Sequence, residues 1–160
     1  MSRGLKRFVK VTHTLGAIGL MGAIAANMVL VLNAPDGAVE FAAMRQGMLM
    51  ICKWLLLPSL ALVLLSGLIA MIVHQPYLHQ GWVLLKAVLG LGMFEGTLAT
   101  VQSQATRAAS MSAKLVEGTG DPALMEKILS SEWFGMWTIM VLSIANVVIA
   151  IWRPKLGIPP

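Results

Sequence analysis

Two ionisable residues lie in a stretch that is otherwise apolar enough to be a membrane-spanning helix. Lys86 and Glu95 belong to the sequence GWVLLKAVLGLGMFEGT, residues 81–97. A charge near the centre of a bilayer costs about 2.5–3.5 kcal/mol, so such residues generally pair with each other or serve a function. They are nine positions apart, which puts them on opposite sides of a helix. Both are therefore candidate catalytic residues, and each should face a different neighbour.

Three histidines supply side chains that can ligate haem or another metal, relay protons or tie helices together. His13 lies just inside the first apolar segment, whereas His74 and His79 follow the second one. The predicted helix order brings all three to the membrane face at which Lys86 also lies. We therefore expect His13 to be an axial ligand of haem b, with His74 or His79 as the second ligand and with Lys86 and Arg7 near the propionates.

Other interpretations of these histidines remain open. A histidine in a membrane helix is also typical of a polar contact between helices, and histidines in a short polar turn such as HQPYLHQG, residues 74–81, are often solvated. The haem interpretation is favoured by a stripe of small residues that could admit either a flat macrocycle or another helix. The stripe consists of Thr12, Gly16, Gly19, Ala23 and Ala26.

A second candidate site contains sulfur. Met44, Met48 and Cys52 recur at every fourth position on one helix face, and soft sulfur ligands select Cu(I). Methionine is also ordinary filler in apolar helices, and Arg45 and Lys53 would place positive charge beside a bound cation. Copper is therefore the alternative cofactor to haem b.

An ion pair between the second and third helices is a further expectation. Lys53 and Glu95 should lie at similar depth, in the half of the membrane away from the histidines. Because intramembrane charges generally pair with each other, we expect these two residues to be partners.

Four helices are needed to position these residues. Of the 160 residues, 58% are hydrophobic and 12% charged, whereas about 25% of the residues of a soluble domain are charged. Four segments are long enough to cross about 30 Å of hydrocarbon. We predict an all-α membrane protein, a single transmembrane four-helix bundle over residues 1–160. The spans are expected at about residues 8–32, 47–73, 82–101 and 133–152.

The third helix should extend beyond the bilayer, because no helix breaker other than intramembrane glycine occurs before Gly118. After a turn there, Asp121 should cap the next helix, with Pro122 at its first position. In the second helix, Pro58 and Ser59 should produce a kink.

Basic residues set the predicted orientation. The net charge of +5 arises from residues at helix ends, which the positive-inside rule explains without nucleic acid as a partner. With four spans, both termini lie on one side, and that side carries six basic residues: Arg3, Lys6, Arg7, Lys10, Arg153 and Lys155. The other side carries four, which are diluted by acidic residues: Arg45, Arg107, Lys114 and Lys127. We therefore expect a multi-pass protein of a bacterial inner membrane with both termini in the cytoplasm.

Several short motifs follow one another in a familiar order. KVTHTLG, residues 10–16, opens the first helix, Arg45 precedes the second, LPS and SGL lie within it at residues 57–59 and 66–68, and GWVLLK, residues 81–86, opens the third. This order resembles a family of small bacterial four-helix membrane proteins related to the J-type protoporphyrinogen oxidase and to the membrane domain of the copper resistance D proteins. The resemblance covers about residues 5–101. It implies haem b associated with His13, and Lys86 in the same functional set.

Three functional hypotheses follow. The first is a haem-b-binding, cytochrome-like protein that passes electrons to a membrane partner or oxidises a small hydrophobic substrate, and is thus a possible membrane oxidoreductase. The second is a copper-handling protein that uses Met44, Met48 and Cys52. The third is an accessory subunit that docks to a larger membrane complex through the hairpin at residues 102–131. A homodimer is also a possible assembly.

Overall fold

The computed structural model describes residues 3–73 and 80–154, and every regular element in these ranges is helical. The six α-helices are α1 (Arg3–Leu32), α2 (Ala38–Ile51), α3 (Leu57–Val73), α4 (Gly81–Gly96), α5 (Ser103–Val116) and α6 (Pro122–Trp152). Two π-helical turns, Cys52–Leu56 and Thr97–Gln102, join α2 to α3 and α4 to α5 without a break. The result is four rods, each long and apolar enough to cross a membrane. The predicted all-α architecture with four long apolar helices is confirmed, and the expected spans lie within the rods.

The turn between the third and fourth rods follows the predicted start and stop residues. Gly118 has φ 74°, a left-handed conformation that only glycine adopts without strain, and the α5 helix ends just before it. The carboxylate of Asp121 accepts hydrogen bonds from the backbone N–H groups of Ala123, at 2.9 Å, and Leu124, at 3.3 Å. Pro122 occupies the first position of α6. The predicted cap is therefore confirmed.

The second rod changes its helical geometry next to its proline. Pro58 has no backbone N–H, so it cannot donate the α-helical hydrogen bond to residue 54. The turn just before it is π-helical, and the N–H of Leu57 bonds to the carbonyl of Cys52, five residues earlier. The kink predicted at Pro58 and Ser59 stays a prediction, and the change of geometry found beside them is this turn. Such turns are rare and are frequent at functional sites.

Helices α1 and α3 pack closely because two glycines of α1 face α3. A methyl group on Gly16 would lie 2.9 Å from the backbone carbonyl oxygen of Ser59 and 2.9 Å from a methyl group of Val63. A methyl group on Gly19 would overlap the hydroxyl of Ser59. The two helices can therefore approach to this distance only where α1 has no side chain.

The outer part of the third rod packs onto the bundle. Helix α5 contacts both α2 and α6. Ala108 of α5 is buried with Met125 and Ile128 of α6, and Phe41 of α2 packs against them. The hairpin at residues 102–131 therefore shares an apolar core with α2, and its extension beyond a bilayer stays a prediction.

Candidate functional site

His13 connects α1 to α3 through one nitrogen of its ring. Nδ1 lies 3.0 Å from the backbone carbonyl oxygen of Val63 and 3.0 Å from the hydroxyl oxygen of Ser66. Because a carbonyl oxygen can only accept, Nδ1 carries the hydrogen and donates it, which leaves the lone pair of the neutral ring on Nε2. The ring is half-buried against Gly67.

This geometry suits two roles. A metal-ligating histidine almost always donates its other ring N–H to a backbone carbonyl or a carboxylate, which fixes the ring orientation and the tautomer. The contact of His13 with Val63 is of this type and leaves Nε2 available as a ligand. The same contact also satisfies an ordinary interhelical hydrogen bond.

Several basic side chains lie at the end of the bundle that contains His13. Lys86 of α4 is half-buried and lies within electrostatic range of His13. Arg7 is exposed on α1, and the guanidinium of Arg153, at the end of α6, lies 5.8 Å from the ring centroid of Trp82. Three rods thus contribute basic side chains to this end.

The stripe of small residues beside His13 is filled by protein. Gly16 and Gly19 lie against α3, whose Ser59 occupies the space beside them. Ala26 is exposed and does not belong to the packed surface. The expectation that the stripe leaves room for a macrocycle is therefore wrong, because a helix occupies that surface.

The two other histidines, His74 and His79, lie outside the described residues. Helix α3 is described as far as Val73, and the chain resumes at Gln80 before α4. The assignment of either histidine as a second axial ligand stays a prediction.

Arg45 and Glu132 form a second charged centre, which is closed. Arg45 of α2 is 0% exposed and Glu132 of α6 is 1% exposed, and Arg45 Nη2 donates to Glu132 Oε2 at 2.5 Å. Arg45 Nη1 also donates to the Met48 sulfur at 3.3 Å. The loss of hydration of two buried charges offsets most of their attraction, so the pair adds little net stability compared with an apolar contact. It does link α2 to α6, which both pack against α5.

Two of the three candidate copper ligands, Met48 and Cys52, accept hydrogen bonds from nitrogen donors. Met48 and Cys52 are both fully buried, and Met44 is half-buried. Met48 accepts an N–H from Arg45, and Cys52 Sγ accepts one from Asn27 Nδ2 at 3.2 Å. A guanidinium group on the Met48 sulfur puts positive charge where Cu(I) would bind, so this geometry disfavours a copper site.

The expected ion pair between Lys53 and Glu95 is wrong. Both side chains are exposed, and the ion pair found within residues 3–73 and 80–154 joins Arg45 to Glu132 instead. Glu95 lies on the side of α4 opposite Lys86. It therefore contributes nothing to the centre at His13.

The sequence does not predict the Arg45–Glu132 pair from segment polarity, because both residues lie in polar segments outside the expected spans. The periodicity of α6 does indicate it: Glu132 falls at helical spacing within a stripe that is buried from residue 125 to residue 143. That stripe consists of Met125, Ile128, Glu132, Gly135, Met136, Ile139 and Ser143. An acidic residue in phase with such a stripe predicts a buried partner, and Arg45 is in phase with Met48 and Leu49 in the same way.

No family model matches the chain, and comparisons with curated proteins and with solved structures likewise give no match. The resemblance therefore rests on the short motifs at residues 10–16, 57–59, 66–68 and 81–86 and on Arg45.

Proposed function

We propose that this chain is a multi-pass bacterial inner-membrane protein that binds haem b through His13, related to the family that its motifs resemble. When bound, the haem supplies one-electron chemistry, for electron transfer to a membrane partner or for oxidation of a small hydrophobic substrate. The observation that carries the proposal is the orientation of His13. Its Nδ1–H is donated to Val63, which leaves Nε2 as the ligating atom.

The surroundings of His13 determine on which side a macrocycle fits. Helix α3 fills the small-residue stripe of α1, so that side is closed. On the other side, Lys86 of α4 is half-buried and lies within electrostatic range of His13. We infer that His13 and Lys86 would hold a haem from this side, with Lys86 binding a carboxylate.

The chain's own residues have distinct roles in this proposal. Val63 and Ser66 orient the imidazole of His13 and hold its hydrogen on Nδ1. Lys86 binds a carboxylate and Arg7 supplies further positive charge at the same end. Gly67 lies beside the imidazole: a methyl group there would be 3.5 Å from His13 Cε1, an ordinary van der Waals contact.

We infer cytoplasmic termini from the distribution of basic residues. The buried ion pair increases the difference in basic residues between the two sides of the membrane. Arg45 is neutralised inside the bundle by Glu132, so it no longer counts as a basic residue of the loop side. That leaves three against the six at the terminal side: Arg107, Lys114 and Lys127. A reporter active only in the periplasm should be silent after residue 160 and active at Thr119. The reverse pattern would overturn this orientation.

The absorption spectrum of the purified protein tests the haem proposal. Protein from cells supplied with haem should show a Soret band and, on reduction, the split visible bands of a low-spin b-type centre. His13→Ala should abolish these bands or shift them strongly. Lys86→Met should retain haem at lower occupancy or altered potential, because it removes a charge near a propionate and leaves the metal bond intact.

Variants of His74 and His79 test whether either residue is the second ligand of the haem iron. His74→Ala or His79→Ala should convert a low-spin spectrum to a high-spin one only if the substituted residue ligates the iron. A folded, monodisperse wild-type protein that stays colourless after haem supplementation would overturn the haem proposal. His13 would then act as an interhelical contact, and a copper site would require Arg45 to leave Met48.

A further inference from the structure

A group of polar residues lies deep in the core, away from His13. Asn27, Arg45, Cys52 and Thr97 are each 0% exposed, and Glu132 is 1% exposed. Asn27 donates to Cys52, and the Cys52 thiol lies within electrostatic range of both Arg45 and Glu132. We call these five residues the inner polar centre.

The elements that carry the inner polar centre touch one another. Helix α1 contacts α6 and the π-helical turn Cys52–Leu56, and that turn contacts the second π-helical turn, Thr97–Gln102. The second turn in turn contacts α6. Both irregular turns of the fold therefore meet in this region, and Cys52 and Thr97 are the first residues of the two turns.

Four polar atoms of this centre have no hydrogen-bond partner among the described residues. They are Glu132 Oε1, Arg45 Nε, Asn27 Oδ1 and Thr97 Oγ1. A buried polar atom without a partner costs about 1–3 kcal/mol, and native proteins satisfy nearly all such atoms with protein groups or ordered water. Four together would remove a large part of the stability of a domain of this size.

Thr97 departs from the behaviour of other threonines in these helices. The hydroxyls of Thr14, Thr100, Thr106 and Thr138 each donate to the backbone carbonyl four residues earlier. Thr97 is more deeply buried, yet its hydroxyl makes no such bond. The Thr97 hydroxyl is therefore a buried group that still needs a partner.

We propose that the inner polar centre binds internal water, which bridges Glu132, Arg45, Asn27 and Thr97 and keeps the Arg45–Glu132 pair charged within the core. Water fits better than a metal cation because the set contains both kinds of partner. Glu132 Oε1 and Asn27 Oδ1 need a donor, Arg45 Nε needs an acceptor, and only water supplies both. Buried water typically bonds to about three otherwise unsatisfied polar groups.

Removing one hydroxyl tests whether the centre is hydrated. Thr97→Val keeps the side-chain shape and deletes the atom that water would bond. If water occupies the centre, the folding equilibrium constant should fall by about five- to tenfold. Thr138→Val is the matched control, because that hydroxyl is exposed and already bonded to its own helix, and it should change little. A Thr97→Val protein as stable as wild type, or more stable, would mean that the centre is dry and would overturn the proposal.

Direct contact with water is measured on Arg45. The chain has five arginines, so protein labelled with ¹⁵N-arginine gives a simple Nε–H spectrum. Arg45→Lys identifies the signal, and if that variant fails to fold, lysine substitutions at the other four arginines identify it by elimination. A magnetisation-transfer peak between water and the Arg45 Nε–H supports the proposal, and a resolved signal without one contradicts it. Stability that rises with sodium chloride but not with choline chloride would assign the centre to a cation and overturn the water proposal.

Discussion

The two charged centres of the bundle differ in how completely the helices enclose them. Arg45 of α2 and Glu132 of α6 are buried in the core, and each has the other as its partner. His13 and Lys86 are half-buried, and the hydrogen bonds of His13 use one ring nitrogen and leave the other available. A paired and enclosed charge specifies which helices are linked, whereas a half-open set with a free lone pair is where a ligand can bind.

The largest effect should come from breaking the enclosed pair. Arg45→Met leaves the Glu132 carboxylate buried without its partner, which should destabilise the protein by about 3–5 kcal/mol. Reversible unfolding in detergent measures the change. Lys53→Met is the matched control, because Lys53 lies in the same rod with its side chain exposed, and it should change the free energy of unfolding by about 0.5 kcal/mol or less.

The double variant Arg45→Met with Glu132→Leu sharpens that result. Apolar residues of similar volume often replace a buried ion pair at no cost in stability, so the double variant should recover most of the single loss. The double-mutant cycle gives the coupling between the two positions. If the double variant loses the sum of both single effects, the two residues do not act as a pair.

Much of the fold could be predicted from the sequence, because length, apolarity and helix caps are local properties. The four long helices and the Asp121 cap are examples. The partners of the charged residues could not be predicted, since pairing depends on which helix faces meet. Similar depth in the membrane predicts an ion pair between Lys53 and Glu95. The orientation of the second rod about its own axis instead buries Arg45 and exposes Lys53.

A smaller effect should come from disturbing the contact that holds His13 against α3. Gly16→Ala would put a methyl group 2.9 Å from the backbone oxygen of Ser59, and overpacking of this kind costs about 1–3 kcal/mol. Haem occupancy should fall with it, because α1 must move relative to Val63. Gly22→Ala is the control, since nothing lies within 4 Å of the added methyl group, and it should be neutral or stabilise by up to about 1 kcal/mol. Equal effects of the two substitutions would contradict the close packing of α1 on α3.

The smallest effect should come from removing the second hydrogen-bond partner of His13. Ser66→Ala deletes one acceptor of the Nδ1–H and leaves the carbonyl of Val63 in place, so it should cost about 0.5–1.5 kcal/mol. The haem spectrum should keep its low-spin form with a small shift in potential. Ser130→Ala, at an exposed hydroxyl bonded to its own helix, should alter neither. Complete loss of haem in Ser66→Ala would mean that Ser66, not Val63, determines the tautomer of His13.

Haem content per folded protein tests the central claim most directly, because it separates the two centres in a single assay. It should be measured on wild type, on His13→Ala and on the double variant Arg45→Met with Glu132→Leu, each supplied with haem and checked for a monodisperse fold. The account predicts that wild type and the double variant retain haem and that His13→Ala loses it. Haem retained in His13→Ala and lost in the double variant would contradict the account, because the enclosed pair would then be the functional centre.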